Sequence, residues 1–222
     1  MDALLDFFLH LDTHLAALVA QYGAWVYAIL FLIVFAEIGL IVTPFLPGDS
    51  LLFTAGAFAA SNESTLNVWV LFLVLLTAAI LGDAVNYAVG HFVGPRIFRA
   101  EDRVSFWHRL LNRKHLMKAH AFFERHGGKA IILGRFVPII RTFVPFVAGC
   151  GSMSYPKFAL YNVLGGILWV GLCVMAGFIF GSQPFVKNNF EVVVIAIVFI
   201  SLLPIAWGYI LSRLERRAAD AK

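Results

Sequence analysis

Five residues place formal charge inside otherwise apolar stretches of the chain: Glu37, Asp49, Asp83, Arg135 and Arg141. A charge near the bilayer centre costs about 2.5–3.5 kcal/mol on insertion scales, so such groups face a cavity or pair with one another. Arginine keeps its proton, so Arg135 and Arg141 need counter-charges or a ligand anion, and a guanidinium fork matches phosphate oxygens. A desolvated carboxylate can instead take up a proton. The chemistry therefore leaves proton uptake open to Glu37 and Asp49, and ion pairing or anion binding to Arg135 and Arg141. Asp83 stands beside Gly82 and near Asn86, where a polar contact between helices is the simpler reading. A single buried ion pair could be purely structural. Five groups gathered near helix breaks favour a functional site.

The elements that carry these residues are those of an all-α polytopic membrane protein. Of 222 residues, 61% are hydrophobic and 14% charged, and the mean hydropathy is +0.85. Soluble domains are nearer half apolar and a quarter charged, so an ordinary soluble enzyme, a disordered chain and a common nucleic-acid binder are excluded. Residues 1–22 have Leu and Phe at helical spacing with Asp2, Asp6 and Asp12 between them, as an interfacial amphipathic helix or the entry to a span would. They lack a basic n-region, which argues against a cleaved signal peptide. Residues 23–60 are apolar but interrupted by Pro44, Pro47 and Gly48, and the piece after the break is too short to cross, since a span needs about 20 residues. A re-entrant hairpin fits. Residues 68–93 form a full span, 96–129 a basic segment, and 130–152 a second interrupted segment with Gly134, Pro138, Pro145 and Gly149. Spans follow at 158–180 and 192–211, then a basic tail at 212–222.

All 17 Lys and Arg lie at or after Arg96. The positive-inside rule puts both 96–129 and the tail in the cytoplasm. Three crossings between them would place them on opposite sides. If 130–152 dips in and returns, two crossings remain and both stay inside. The two hairpins then enter from opposite faces, at corresponding positions of a weak inverted repeat, as at transporter binding sites. The spans that follow each hairpin end in Gly90-x-x-x-Gly94 and Gly177-x-x-x-Gly181, read as close-packing contacts. Trp25, Trp69 and Trp169 read as lipid-facing or interfacial. Cys150 and Cys173 have no metal or redox spacing and read as small buried hydrophobes. His115 and His120 lack companions at ligand spacing, so no metal site and no cofactor are expected.

Phe35-Ala36-Glu37 followed by Pro44-Phe45-Leu46-Pro47-Gly48-Asp49-Ser50-Leu51-Leu52 resembles the first hairpin of the DedA family, part of the VTT (SNARE-associated) superfamily. Gly134-Arg135-Phe136-Val137-Pro138-Ile139-Ile140-Arg141-Thr142-Phe143, with Ala148-Gly149 and Met153, resembles the second. Gly82-Asp83-x-x-Asn86-Tyr87 and Tyr161-Asn162-x-x-Gly165-x-x-x-Trp169 match as well. The likeness covers about residues 20–212. It implies a bacterial inner-membrane protein that moves a phosphate-bearing lipid, undecaprenyl phosphate or a phospholipid, coupled to protons and supporting envelope integrity. The family's acidic positions map to Glu37 and Asp49, where it often has Glu at the second, and its arginines to Arg135 and Arg141. A scaffold for envelope or division machinery is the second reading, and a lipid-phosphate enzyme the third, since no nucleophile–base set lies at membrane depth. The expected partners are membrane lipid and protons, with no nucleic acid; a homo-oligomer is compatible with the sequence.

Overall fold

The computed structural model describes residues 18–19, 21–39, 48–61, 65–99, 120–121, 123–151, 153–189, 192–193 and 195–197. Among these the chain is all-α: α1 Trp25–Gly39, α2 Gly48–Ala59, α3 Val68–Arg99, α4 Lys129–Gly134, α5 Pro138–Cys150, α6 Tyr155–Phe180 and α7 Pro184–Asn188. Pro44 and Pro47, most of 1–22, His115, and most of 192–222 lie outside the described residues.

Helix length separates two classes. Val68–Val93 within α3 and Tyr155–Phe180 are long and apolar enough to cross a bilayer. Their outward faces are apolar too: Leu160, Leu164, Leu168 and Leu172 form an exposed i, i+4 stripe on α6, and Trp69, Leu73, Leu81, Val85 and Phe92 are exposed on α3. An apolar surface of this extent fits a lipid solvent. By contrast α1 has 15 residues and α2 has 12, so at 1.5 Å per residue they reach only about 22 and 18 Å.

The short helices pack crosswise on the long ones. α2 lies against α6, and α5 against α3. Each crossing brings backbone to backbone at glycine. A Cβ on Gly56 would strike the Val174 carbonyl oxygen, and one on Gly177 the Phe53 carbonyl. In the other crossing a Cβ on Gly149 would strike the Tyr87 carbonyl, and one on Gly90 the Phe146 carbonyl. The two crossings are thus reciprocal, Phe53/Gly56 answering to Phe146/Gly149 and Tyr87/Gly90 to Val174/Gly177. Around the first crossing α1 adds Val26, Leu30 and Val34 to a core with Leu52, Leu71, Leu75, Val170 and Val174. Around the second, Tyr87, Ile131, Phe143, Phe146, Val147 and Phe158 form a separate core.

A backbone carbonyl cannot step aside as a flexible side chain can. Gly56→Ala and Gly149→Ala are therefore each expected to lose about 1–3 kcal/mol by overpacking. Gly171→Ala, whose Cβ would meet only the Phe72 ring at 3.6 Å, is the control expected to stay within about 0.5 kcal/mol. Thermal unfolding in detergent measures all three.

The second interrupted segment breaks once among the described residues, at Arg135–Val137 between α4 and α5. Gly134 ends α4 and Pro138 begins α5, as their residue types suggest. Pro145 and Gly149 do not break the chain: α5 runs through both to Cys150. Pro145 only deprives the Arg141 carbonyl of its usual donor, and Gly149 serves the crossing with α3. Trp25 and Trp69 are exposed, as a lipid-facing reading requires, but Trp169 is 1% exposed, which overturns that reading for it.

Candidate functional site

The five charged residues converge where α1, α2, α3, α5 and α6 meet. Arg141 lies in the first turn of α5, its N–H bonded to the Val137 carbonyl at 2.8 Å. Its guanidinium reaches across to two helices. Nη2 donates to Glu37 Oε1 on α1, and Nη1 approaches Asp49 Oδ1 on α2 at 3.4 Å. Gly48, the first residue of α2, has no side chain because a Cβ there would collide with the Glu37 carboxylate. That close approach sets α2 beside α1 and aims Asp49 at the same arginine.

Arg135 sits in the break between α4 and α5, where a turn rather than a helix lets it point at the long spans. Its Nη2 donates to Asp83 Oδ2 on α3 at 2.5 Å and to Asn162 Oδ1 on α6 at 2.5 Å. Asn162 is oriented by its own amide, which donates to the Ile80 carbonyl at 3.1 Å. Gly165 and Gly166 make room for the guanidinium; a Cβ on Gly165 would lie 3.2 Å from Arg135 Cδ. Asn86 donates to the Thr142 carbonyl at 2.6 Å and ties α3 to α5 one residue from Arg141.

The pairing is therefore divided. Glu37 and Asp49 both serve Arg141, whereas Arg135 is held by Asp83, which is an ion-pair partner and more than a hydrogen-bonding contact. Exposure differs as well. The Arg135 and Asp83 side chains are each 2% exposed, while the Asp49 side chain is 21% exposed. Asp49 is the most exposed of the ion-paired side chains. With every group ionised, three carboxylates and two guanidinium groups leave a net charge of −1. Arg135 Nε and Nη1 and Arg141 Nε have no partner among the described residues, so the arginines keep free donor capacity. An unsatisfied buried donor costs about 1–3 kcal/mol, more when charged.

Two members of the site, though quoted in the family motif, receive no role in it from sequence reasoning. Trp169 lies under both arginines, and Asn162 accepts from Arg135. The signal that could have found them is their spacing. Asn162, Gly165, Gly166 and Trp169 follow i, i+3, i+4, i+7 and so share one face of α6.

Breaking the deeper pair from one side leaves a buried charge without compensation. Asp83→Asn is expected to cost about 3–5 kcal/mol, and Asp83→Asn with Arg135→Met to recover most of it. Folded fraction after detergent extraction reads both.

Residues 46–179 match the VTT domain. The chain is 55% identical over 201 residues to Protein DedA of Escherichia coli (strain K12), covering 90% of each chain. It is 42% identical over 194 residues to an uncharacterized membrane protein of Mycobacterium leprae (strain TN), covering 86% of this chain and 82% of that one. It is 33% identical over 201 residues to inner membrane protein YghB of Escherichia coli (strain K12), covering 90% of this chain and 84% of that one. No solved structure matches the chain.

Proposed function

The chain belongs to the DedA family of VTT-domain membrane proteins, and from that premise we propose that it translocates a phosphate-bearing lipid across the inner membrane, with protons exchanging at the buried charge cluster. Undecaprenyl phosphate and phospholipids are the substrate classes. The observation that carries the reading is the cluster itself: two arginines with free donors, held by three carboxylates, where the short helices α1, α2 and α5 meet the long helices α3 and α6.

The proton role follows from charge. A phosphate monoester brings about −1.5 to −2 at neutral pH. Added to a site that is already at −1, this charge is strongly disfavoured away from water. Protonation of Glu37 or Asp49 relieves the excess and releases Arg141 to the phosphate. Asp49, with its partial exposure, is the carboxylate through which the proton enters and leaves. The headgroup stays within the cluster while the acyl or prenyl tail remains in lipid.

On this reading α1 and α2 form one re-entrant hairpin and α4 and α5 another, inserted from opposite faces as an inverted repeat. The reciprocal glycine crossings support that pairing, as do the lengths of the short helices. Residues 96–129 and the tail are cytoplasmic, and the chain is multi-pass. The test is translocation of a labelled lipid phosphate in vesicles containing only the purified protein. Movement above protein-free vesicles supports the reading; no movement favours a scaffold, and release of inorganic phosphate favours an enzyme.

A further inference from the structure

Trp169 is 1% exposed and lies on the inward face of α6. A buried indole needs a partner for its N–H, and here it has a charged one: Nε1–H donates to Asp49 Oδ1 at 2.7 Å. Arg141 Nη1 reaches that same oxygen only at 3.4 Å. Of these two contacts to the Asp49 carboxylate, the better-formed one therefore comes from α6. The ring also faces both cations, with the Arg141 guanidinium carbon 4.9 Å and that of Arg135 5.9 Å from its centroid. An aromatic face at this range attracts a guanidinium without titrating. Trp169 thus bonds to Asp49 and faces both arginines.

We propose that Trp169 is a positioning residue of the site: its N–H keeps Asp49 in place while Arg141 is drawn away, and its ring links the Arg141 pair to the Arg135 pair. When an anion takes Arg141, Asp49 loses the weaker of these two contacts and keeps the indole N–H, so it stays where it can exchange a proton. The ring meanwhile supports both guanidinium groups in either state. Among the described residues, the other charged or titratable groups facing Asp49 include Glu37 from α1, Arg141 from α5 and the Cys173 thiol from α6.

Two variants separate the two duties. Trp169→Phe keeps a ring under the arginines and removes the donor; Trp169→Leu removes both. In the vesicle assay, an arm that rests on the lipid-translocation reading, Trp169→Phe is expected to slow movement about ten- to hundredfold, the worth of a hydrogen bond to a charged group. Trp169→Leu should slow it further. Trp169→Phe is expected to unfold within a few degrees of the wild type, and wild-type movement in Trp169→Phe would overturn the proposal. The second arm needs no lipid. The emission of Trp169, isolated as the difference between a protein and its Trp169→Phe counterpart, is expected to shift in Asp49→Asn, which removes the charge that its N–H donates to. Glu37→Gln, at a carboxylate the indole N–H does not bond, should shift it less. Emission unchanged in Asp49→Asn overturns the proposal. Wild-type vesicles that move no lipid would remove the transport reading, and the emission arm would still decide the role of Trp169.

Discussion

Arg141→Ala is expected to abolish lipid-phosphate translocation, a loss of at least about a hundredfold if one charge-assisted phosphate bond with its bidentate geometry is removed. Taken alone, that result would be ambiguous. Removing one member of a buried charged set costs about 3–5 kcal/mol because the partners are left uncompensated, and here Glu37 is deeply buried at 2% exposure. The decisive variant is Arg141→Ala combined with Glu37→Gln. Its remaining carboxylate in that pair is Asp49, which keeps the Trp169 donor and is 21% exposed. The double variant should return to near wild-type level in the membrane and still move no lipid. Protein quantification beside the vesicle assay checks both halves. Recovery of translocation with the protein would mean that Arg141 only holds α5 to α1.

Glu37→Gln carries the second large effect. If the complex holds more protons than the empty site, affinity for lipid phosphate rises as pH falls, by up to tenfold per pH unit for each proton taken up. Glutamine keeps the shape of the side chain and cannot gain or lose that proton. Titrating lipid phosphate into the purified protein from about pH 9 to about pH 7, above the second phosphate pKa of about 6, should give a steep slope in the wild type and a markedly shallower one in Glu37→Gln, where Asp49 alone of the Arg141 pair remains to take up a proton. Arg135 provides the contrast. Its countercharge, Asp83, is sealed from water, so the Arg135–Asp83 pair fixes α3, α6 and the hairpin break in place while the Arg141 set changes state.

Much of this site could be read from residue type alone, because a charge within an apolar run is conspicuous whatever surrounds it. Glu37, Asp49, Asp83, Arg135 and Arg141 all meet at one place, and Gly134 and Pro138 do flank the break. Which acid serves which arginine was not legible. Arg141 and Glu37 are 104 residues apart and Arg135 and Asp83 are 52 apart; such pairings depend on how helices cross, and the crossing is set by backbone contacts at Gly56, Gly90, Gly149 and Gly177. Pro145 and Gly149 misled for a related reason. A proline or glycine weakens a helix, but a neighbouring helix packed on it can keep it continuous in lipid, and α3 lies against α5. Trp169 misled because an aromatic in a span is usually interfacial. Only its register with Asn162, Gly165 and Gly166 turns it inward.

The central claim is that lipid phosphate and protons exchange at the Arg141 cluster. The most direct measurement is proton uptake when lipid phosphate is added to purified protein in a weakly buffered detergent solution, followed with a pH-sensitive dye. The account predicts about one proton or more taken up per lipid bound at about pH 8, because the site starts at −1 and gains a phosphate. It predicts markedly less in Glu37→Gln. Saturating binding with no proton uptake in the wild type would contradict it.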